Sequence, residues 1–497
     1  MIMNRSRIFW LGCLIISVGV LLHLPMLVHA HGMGNHLVGM AVDGPMMAGM
    51  AAIAVGVGLA CWGALPRRVR VLDNQDLPLF EIGEDTPLNR WHAAAMVVLM
   101  IGLVIDAMKP ATLGFVIPGL AKEYDIALAK AALLPLSALS GTVVGSILWG
   151  WLADRYGRRV SILLSGILFA ATSICGAMPE FGWNLVMCFM MGSSAGGMLP
   201  VVYTLLAEII PRRHRSWALV LVGGTGLIGG YLAAAGAAYL LEPTYGWRAL
   251  WLQGFPTGIL LLGLARFLPE SPVFLSAHGR TAELGAMIER FGIVQVDRSA
   301  QPADVEAKTT SQRGLATALI VTALTWSFVN FGLLLWLPMD LQARGYSAEL
   351  VSGMLASSSL LALPTIGLSA WTYSRISSKW TLIFTIALTL VALVGALLPT
   401  QILVERHLLI VVVTMLIIGT NGTISVLMPY TAESIPASVR GRATGLVAGA
   451  SKFGGIAVQL AALAGLVPSL GGAALVLLAP TVLSTALLAI TGRETRN

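Results

Sequence analysis

Three ionisable residues lie inside long apolar segments, where a charge is costly to bury. Asp106 and Lys109 are three residues apart in one such segment, and Lys452 lies in another. Residues at i and i+3 lie on the same face of a helix, so Asp106 and Lys109 would share a face. A carboxylate there could take up and release a proton, and an ammonium could attract an anion. We therefore predict a substrate or proton pathway at these residues, with a self-neutralising pair as the alternative.

The composition indicates a membrane protein. Of the 497 residues, 57% are hydrophobic and 11% are charged, and the mean hydropathy is +0.82. A soluble domain carries about a quarter charged residues. The net charge of +7 lies in short loops on one side, so it does not indicate nucleic-acid binding. No nucleophile–base arrangement, zinc spacing or nucleotide motif is present, so we expect no enzyme activity, no cofactor and no metal site.

Apolar segments along the chain predict an all-α polytopic membrane protein with about fourteen spans. Most Lys and Arg residues fall in the loops of one side, which assigns that side and both termini to the cytoplasm. The first apolar stretch could be a signal peptide, but it is long for one, and we favour a retained helix. The predicted organisation is a two-helix prefix (1–65), a cytoplasmic linker (66–90), a six-helix bundle (91–268), a central cytoplasmic linker (269–313) and a second six-helix bundle (314–497).

One short loop between two spans is strongly basic and contains a single acidic residue. Its sequence from residue 150 to residue 159 is GWLADRYGRR. Gly145 and Gly150 would let another helix approach closely. Asp154 could lie against the N-terminus of a neighbouring helix, where the helix dipole favours negative charge.

An internal repeat divides the body of the chain into two halves. The sequence AEIIP at 207–211 recurs as AESIP at 432–436, each followed by arginines. Glu208 and Glu433 lie beside arginine clusters that include Arg212 and Arg440, and we predict that they form salt bridges at a cytoplasmic gate rather than bind substrate. The second-half copy of the basic loop, at 374–379, keeps positive charge but has lost the acidic residue and the glycines.

The loop sequence resembles the signature loop between helices 2 and 3 of major facilitator superfamily transporters. The resemblance implies two six-helix bundles, alternating access, and a latch on the cytoplasmic side. Its residues would be Gly150, Asp154, Arg155, Gly157, Arg158 and Arg159.

Two further stretches resemble a narrower group of metabolite:proton symporters. Residues 106–118 resemble helix 1 of the aromatic acid:proton symporters, although Lys109 stands where that family has a second Asp. Residues 269–275 resemble the PESPRFL sequence of sugar porters, with Val273 in place of Arg. The resemblance implies proton symport, and Lys109 favours an anionic substrate.

These observations predict a secondary active transporter of a small organic acid in a bacterial inner membrane. Its partners would be an anionic small molecule, protons and the lipid bilayer. Polar residues in the body spans would line the cavity or bond neighbouring helices: Tyr203, Asn330, Asn421, Trp326 and Gln459.

Two alternatives remain open from the sequence. One is a proton-coupled efflux antiporter of drugs or metabolites. The other is a copper-handling or sensing protein, because imidazole and thioether groups suit copper. Packing of a Met-rich helix is the competing explanation of that cluster, which comprises His23, His29, His31, Met33, His36, Met40, Met46, Met47 and Met50.

Overall fold

The computed structural model describes residues 5–65, 79–82, 86–296, 309–398, 406–435, 437–466 and 469–495. Within these residues the chain is almost wholly helical, with one pair of short strands. The α-helices are α1 (Arg5–Leu21), α2 (Leu24–Gly32), α3 (Gly44–Ala64), α4 (Arg90–Glu123), α5 (Leu128–Ala131), α6 (Leu133–Tyr156), α7 (Arg158–Ala171), α8 (Phe181–Ala195), α9 (Met198–Ile209), α10 (Arg212–Tyr245), α11 (Ala249–Leu252), α12 (Gly254–Leu264), α13 (Pro272–Ala277), α14 (Thr281–Phe291), α15 (Thr309–Val329), α16 (Leu337–Ala343), α17 (Ala348–Arg375), α18 (Ser378–Ala396), α19 (Arg406–Ser434), α20 (Ala437–Leu463) and α21 (Leu470–Thr491).

The helices confirm the predicted fold class. In the described part of the chain, 13 helical segments are long and apolar enough to cross a membrane. A fourteenth predicted span corresponds to the shorter apolar helix at Ala249–Leu264. About 20 apolar residues cross the hydrocarbon core, so most of these segments extend beyond it at one end.

The helices pack into two compact units, which are described separately. The predicted bundle boundaries at 91–268 and 314–497 stay predictions. The first unit contains residues 1–109, 140–215 and 244–301, and the second contains residues 110–139, 216–243 and 302–497.

The prefix is a tight helical hairpin in which backbone packs on backbone. A Cβ atom added to Gly12 would lie under 3.0 Å from the backbone of α3, and one added to Gly63 would meet Phe9 equally closely. Residues seven apart lie on one face of a helix because seven residues make almost two turns. The glycines at that spacing therefore form the contact face of each helix: Gly12 and Gly19 on α1, and Gly49, Gly56 and Gly63 on α3. The hairpin packs against α7 of the body.

A two-stranded antiparallel sheet joins the two linkers. β1 (Leu79–Ile82) pairs with β2 (Ile293–Val296), with Leu79 opposite Val296. The side-chain amide of Asn89 donates to the carbonyl of Arg290 at 2.7 Å, which ties the start of α4 to the end of α14. Each of the two predicted linkers therefore contributes one short strand to this sheet. The basic residues Arg67, Arg68 and Arg70 lie outside the described residues.

Small residues let helices of the first unit approach closely around α6. Cβ atoms added to Gly141 or Gly145 would lie under 3.0 Å from the backbone of α8. Ser165 on α7 donates to the carbonyl of Ser194 at 2.8 Å. Such contacts suit membrane helices, where close van der Waals packing and interhelical hydrogen bonds hold helices together. They position the loop between α6 and α7.

Candidate functional site

The loop between α6 and α7 carries an anion site at the start of α7. Gly157 has a φ of 105°, which lets the chain turn sharply between the two helices. The Glu270 carboxylate accepts hydrogen bonds from the backbone N–H of Arg158 at 2.7 Å and of Arg159 at 3.3 Å. A helix N-terminus favours negative charge, so this arrangement holds the segment before α13 on α7. Glu270 is only 7% exposed, and this burial raises the pKa of its carboxyl. The backbone N–H groups of Arg158, Arg159 and Ser271 donate to the carboxylate and act to lower the same pKa.

Asp154 does not occupy the position that the sequence predicted. Its side chain is 80% exposed and lies 3.7 Å from the guanidinium of Arg158, the first residue of α7. The carboxylate at the neighbouring helix N-terminus is Glu270, which the sequence analysis did not assign to this role. The prediction of close helix approach holds for Gly145 and is wrong for Gly150, because a Cβ atom added to Gly150 meets no described atom within 4 Å.

An ion pair joins this loop to the end of α9. Nη2 of Arg158 lies 3.2 Å from Oε1 of Glu208, and the two side chains are 13% and 16% exposed. The Ser271 hydroxyl also bonds the Glu208 carboxylate. Arg212, which the sequence also assigned to the gate, is exposed at the first residue of α10. Arg155 extends over the ring of Trp151, with 5.6 Å from its guanidinium carbon to the ring centroid.

The second unit holds the corresponding glutamate with hydroxyl groups. Glu433 accepts hydrogen bonds from Ser216 and Tyr373, each at 2.7 Å, and from Thr495 at 3.0 Å. The gate residue Arg440 belongs to α20, but its side chain lies outside the described part of the structure. Its role at the gate therefore stays a prediction.

A second helix-terminal anion site lies at the start of α18. The carboxylate of Glu494 accepts from the backbone N–H of Ser378 at 2.7 Å and from the hydroxyls of Ser377 and Ser378. The backbone N–H of the preceding residue, Arg493, donates to the Tyr430 hydroxyl at 2.8 Å, which also fixes this segment. Glu270 and Glu494 each follow the last helix of a predicted half and bind the N-terminus of its third helix. The sequence signal was the pair Glu-Ser at 270–271 and Glu-Thr at 494–495.

The Lys109 ammonium is enclosed by the first unit. Nζ donates to the carbonyl of Phe169 and to Oγ1 of Thr172 at 2.9 Å, and it lies 4.1 Å from the centre of the Phe169 ring. These partners belong to the last turn of α7 and the turn after it, where a helix terminus favours positive charge. Lys109 is 1% exposed, and Asp106 is not among the partners of its ammonium within the described residues. Gly254 makes room for it, since an added Cβ would lie under 3.0 Å from its amine.

The other predicted pathway residues are distributed over both units. Asp106 is buried on α4, one turn before Lys109, and Lys452 is half-buried on α20. The Tyr203 hydroxyl on α9 is buried and makes no hydrogen bond to a described residue. The amide of Asn421 donates to the carbonyl of Ile417 in its own helix at 3.1 Å. The roles of these residues stay predictions.

Asn330 begins a π-helical turn, Asn330–Leu334, between α15 and α16. The amide of Gln459 on α20 donates to the carbonyl of Phe331 at 2.8 Å, and its oxygen accepts from the Trp336 indole at 3.3 Å. A π turn leaves the regular hydrogen-bond ladder and is frequent at functional sites. Gln459 therefore satisfies a carbonyl at an irregular point of this span.

Two histidines of the predicted prefix cluster lie in different surroundings. His23 is fully buried between α1 and α3, and its Nδ1 bonds the carbonyl of Gly19 at 2.8 Å. Exposed His31 bonds the side chain of Asn35 at 3.0 Å. Within the described residues, no three His, Cys, Asp or Glu side chains come together as a metal-binding group.

Comparison with known proteins places these features in one family. The sequence profile of the Major Facilitator Superfamily matches residues 99–459. The chain is 27% identical to the niacin transporter NiaP of Acinetobacter baylyi over 395 residues, covering 76% of this chain and 88% of that one. It is 26% identical to the 4-hydroxybenzoate transporter PcaK of the same species over 396 residues, covering 75% and 84%.

A solved structure supports the same assignment at the level of the fold. The partially occluded, inward-open xylose transporter XylE of E. coli matches with a TM-score of 0.67 and 16% identity, covering 82% of this chain and 99% of that one. The protein is an integral membrane protein, and the relatives that it resembles are transporters. The chain belongs to the Major Facilitator Superfamily.

Proposed function

We propose that this protein is a secondary active transporter that carries a small aromatic carboxylate across the membrane together with a proton. The observation that carries the proposal is the buried pair of charges on α4, Asp106 and Lys109, in a chain of this family. Ionisable residues inside membrane spans are costly to keep and mark ion and substrate pathways. Niacin and 4-hydroxybenzoate, which two relatives are named for, are both small aromatic carboxylic acids.

Asp106 is the residue that we assign to the proton. It is buried on α4, within a helical segment that is long and apolar enough to cross a membrane. Protonation would neutralise it, and release of the proton would restore a negative charge near the middle of α4. A carboxylate substrate would then be bound and released according to that charge.

Lys109 would attract the substrate electrostatically, without a direct contact. Its ammonium is enclosed by Phe169 and Thr172, so it favours an anion nearby without touching it. Charges interact more strongly in the low-dielectric interior than in water. Lys452, Tyr203, Asn330 and Asn421 are the polar residues that we propose for the rest of the pathway.

The interactions of Glu208 and Glu433 would hold the cytoplasmic ends of the helices during the transport cycle. The Arg158–Glu208 pair and the hydroxyl bonds of Glu433 are compact, partly buried interactions at helix ends. Arg158 and Glu208 belong to one predicted bundle, and their ion pair would keep that bundle rigid. Ser216 and Glu433 belong to different predicted bundles, and their hydrogen bond would form and break as the halves rock. The positive residues at this side support a bacterial inner-membrane protein with both termini in the cytoplasm.

The proposal is tested by transport in proteoliposomes. The purified full chain should accumulate radiolabelled nicotinate or 4-hydroxybenzoate when the proton gradient is directed inward. Asp106→Asn should lose accumulation but keep exchange of labelled for unlabelled substrate. Gradient-driven export of drugs without carboxylate uptake would support the antiporter alternative. Copper binding to the intact protein, lost in a variant with His29, His31 and His36 replaced by Ala and accompanied by no transport, would support the copper alternative.

A further inference from the structure

The first unit contains a second buried cation, Arg248, which immediately precedes α11 and is only 2% exposed. Its Nη1 donates to the carbonyl of Gly176 at 2.9 Å and to the carbonyl of Met178 at 3.0 Å. The guanidinium carbon also lies 4.4 Å from the centre of the Trp247 ring. Arg248 therefore binds the backbone of the segment that connects α7 to α8.

That connecting segment contains a 3₁₀ turn, Thr172–Ala177, which meets a buried cation at each end. Thr172 at its start accepts a hydrogen bond from the Lys109 ammonium, and Gly176 near its end accepts one from Arg248. A 3₁₀ helix has poorer hydrogen-bond geometry than an α-helix and rarely exceeds three or four residues. The last carbonyls of a helix also need partners from outside it. The position of this six-residue turn therefore depends on side chains from other helices.

The stretch from Arg248 to Gly254 encloses both the turn and the Lys109 amine, with no room for an added methyl group. A Cβ atom added to Gly176 would lie under 3.0 Å from the carbonyl oxygen of Arg248 and 3.2 Å from the Trp251 ring. A Cβ atom added to Gly254 would lie under 3.0 Å from the amine of Lys109. Close-packed groups transmit a displacement to their neighbours. A shift of the turn would therefore also move the acceptors that hold the ammonium.

We propose that Arg248 is a positioning residue for Lys109, a role that rests on the proposed function of Lys109 in attracting the carboxylate. Arg248 holds the turn by the carbonyls of Gly176 and Met178, and the turn holds the ammonium by Thr172. Without Arg248 the charge of Lys109 remains, but its position is no longer fixed. Direct attraction of the anion by Arg248 is the competing explanation, and the two predict different kinetics.

A double-mutant cycle on substrate affinity separates the two explanations. Arg248→Met should raise the KM for nicotinate uptake in proteoliposomes roughly two- to tenfold, as expected for residues that act through one network, with kcat little changed. Arg248→Lys keeps a charged donor and should lie closer to the wild type. In the Lys109→Met background Arg248→Met should leave KM unchanged, because no ammonium is left to position. The same fold-change in both backgrounds would overturn the proposal and assign Arg248 a direct action on the anion.

Cys175 lies in the turn and reports its position without any substrate. It is fully buried, and its thiol donates to the carbonyl of Thr172 at 2.8 Å. In a protein whose other three cysteines are replaced by Ala, N-ethylmaleimide should label Cys175 faster when Arg248→Met is added. Equal labelling rates with and without Arg248 would overturn the proposal. Absence of carboxylate uptake by the wild type would instead refute the proposed function, and the labelling rates would still decide whether Arg248 holds the turn.

Two further variants complete the test. Ser165→Ala removes the hydrogen bond from α7 to the carbonyl of Ser194 and is the control for a general loss of stability. It should change neither KM nor the labelling of the turn. If Arg248→Met does not fold, Gly176→Ala takes its place in both assays, because the added methyl group displaces the turn from Arg248 while both cations are kept. An unchanged KM and labelling rate in Gly176→Ala would then overturn the proposal.

Discussion

Glu270 lies directly against Gly157, and a Cβ atom added to Gly157 would come under 3.0 Å from its carboxylate. Gly157 has a φ of 105° and a ψ of 155°, a conformation that is essentially restricted to glycine. Glycine is therefore required at position 157 for two reasons. Its backbone conformation excludes other residues, and the Glu270 carboxylate leaves no room for a side chain.

Substitution of Gly157 by Ala should destabilise the protein. The backbone strain alone should lower the free energy of unfolding by about 1–3 kcal/mol, and the displaced Glu270 carboxylate adds to it. The matched control is Gly150→Ala, which lies in α6 with no described atom within 4 Å of the added Cβ. That change should stabilise the helix by roughly 0.5–1 kcal/mol. Apparent melting temperatures of the two purified variants should therefore move in opposite directions, and a common direction would contradict this account.

Glu270 should contribute less to the stability of the folded protein as the pH rises. Burial raises the pKa of Glu270, so the carboxyl binds a proton more readily in the buried position than in water. The favourable contribution of this group is therefore fully present below its ordinary pKa and is lost as pH rises through the raised value. The apparent melting temperature of the purified protein should fall over that range. Glu270→Gln cannot ionise, so its melting temperature should fall less over the same range.

The Arg158–Glu208 pair could be partly read from the sequence, and Glu270 could not. Repeated Glu near Arg at helix ends indicated ion pairs, and the structure supplies one with a different arginine. Glu270 contacts residues more than a hundred positions earlier, and only the packed helices bring them together. Asp154 was the acidic residue nearest in sequence to the loop, so sequence reasoning assigned it the role that Glu270 has. The short strands β1 and β2 have four residues each, too few for a clear alternating pattern.

The second half shows how a motif can be lost while its interaction is kept. The loop at 374–379 no longer matches the signature, but Ser377 and Ser378 bind Glu494 as the helix N–H groups of α7 bind Glu270. Serine hydroxyls donate hydrogen bonds and also cap helices, so they replace a glycine–arginine sequence without resembling it. Motif matching therefore recognised the loop at one of two equivalent anion sites and missed the loop at the other.

Loss of Glu494 should release the start of α18. Glu494→Ala removes the acceptor of the Ser378 N–H and of two serine hydroxyls, and should lower the free energy of unfolding by about 1.5–3 kcal/mol. Glu283→Ala is a suitable control, because its pair with Arg280 is exposed and should contribute less than about 1 kcal/mol. The two purified variants can be compared by thermal unfolding. A loss at Glu494 no larger than that at Glu283 would show that the carboxylate does not hold α18.

Lys109 presents a choice between a structural and a functional role. Its ammonium is buried with a carbonyl, a hydroxyl and an aromatic ring, and burying a charge among such neutral groups is costly. Replacement of a buried charge by a well-packed apolar side chain is often neutral or stabilising, by about 1–4 kcal/mol. If Lys109 is kept to attract an anion, Lys109→Met should raise the melting temperature or leave it unchanged. The KM for carboxylate uptake should rise roughly tenfold, which corresponds to about 1.4 kcal/mol of lost attraction.

A pair of glycine variants separates the position of the ammonium from its charge. Gly254→Ala would place a methyl group against the Lys109 amine. The control is Gly263→Ala, nine residues further along α12, where the added Cβ meets no described atom within 4 Å. The first should weaken carboxylate uptake with the charge still present, and the second should not affect it. A lower melting temperature of Lys109→Met with an unchanged KM would instead identify the ammonium as a structural tie between α4 and α7. Proton coupling would then rest on Asp106 alone, and Asp106→Asn should abolish gradient-driven accumulation in the Lys109→Met background as well.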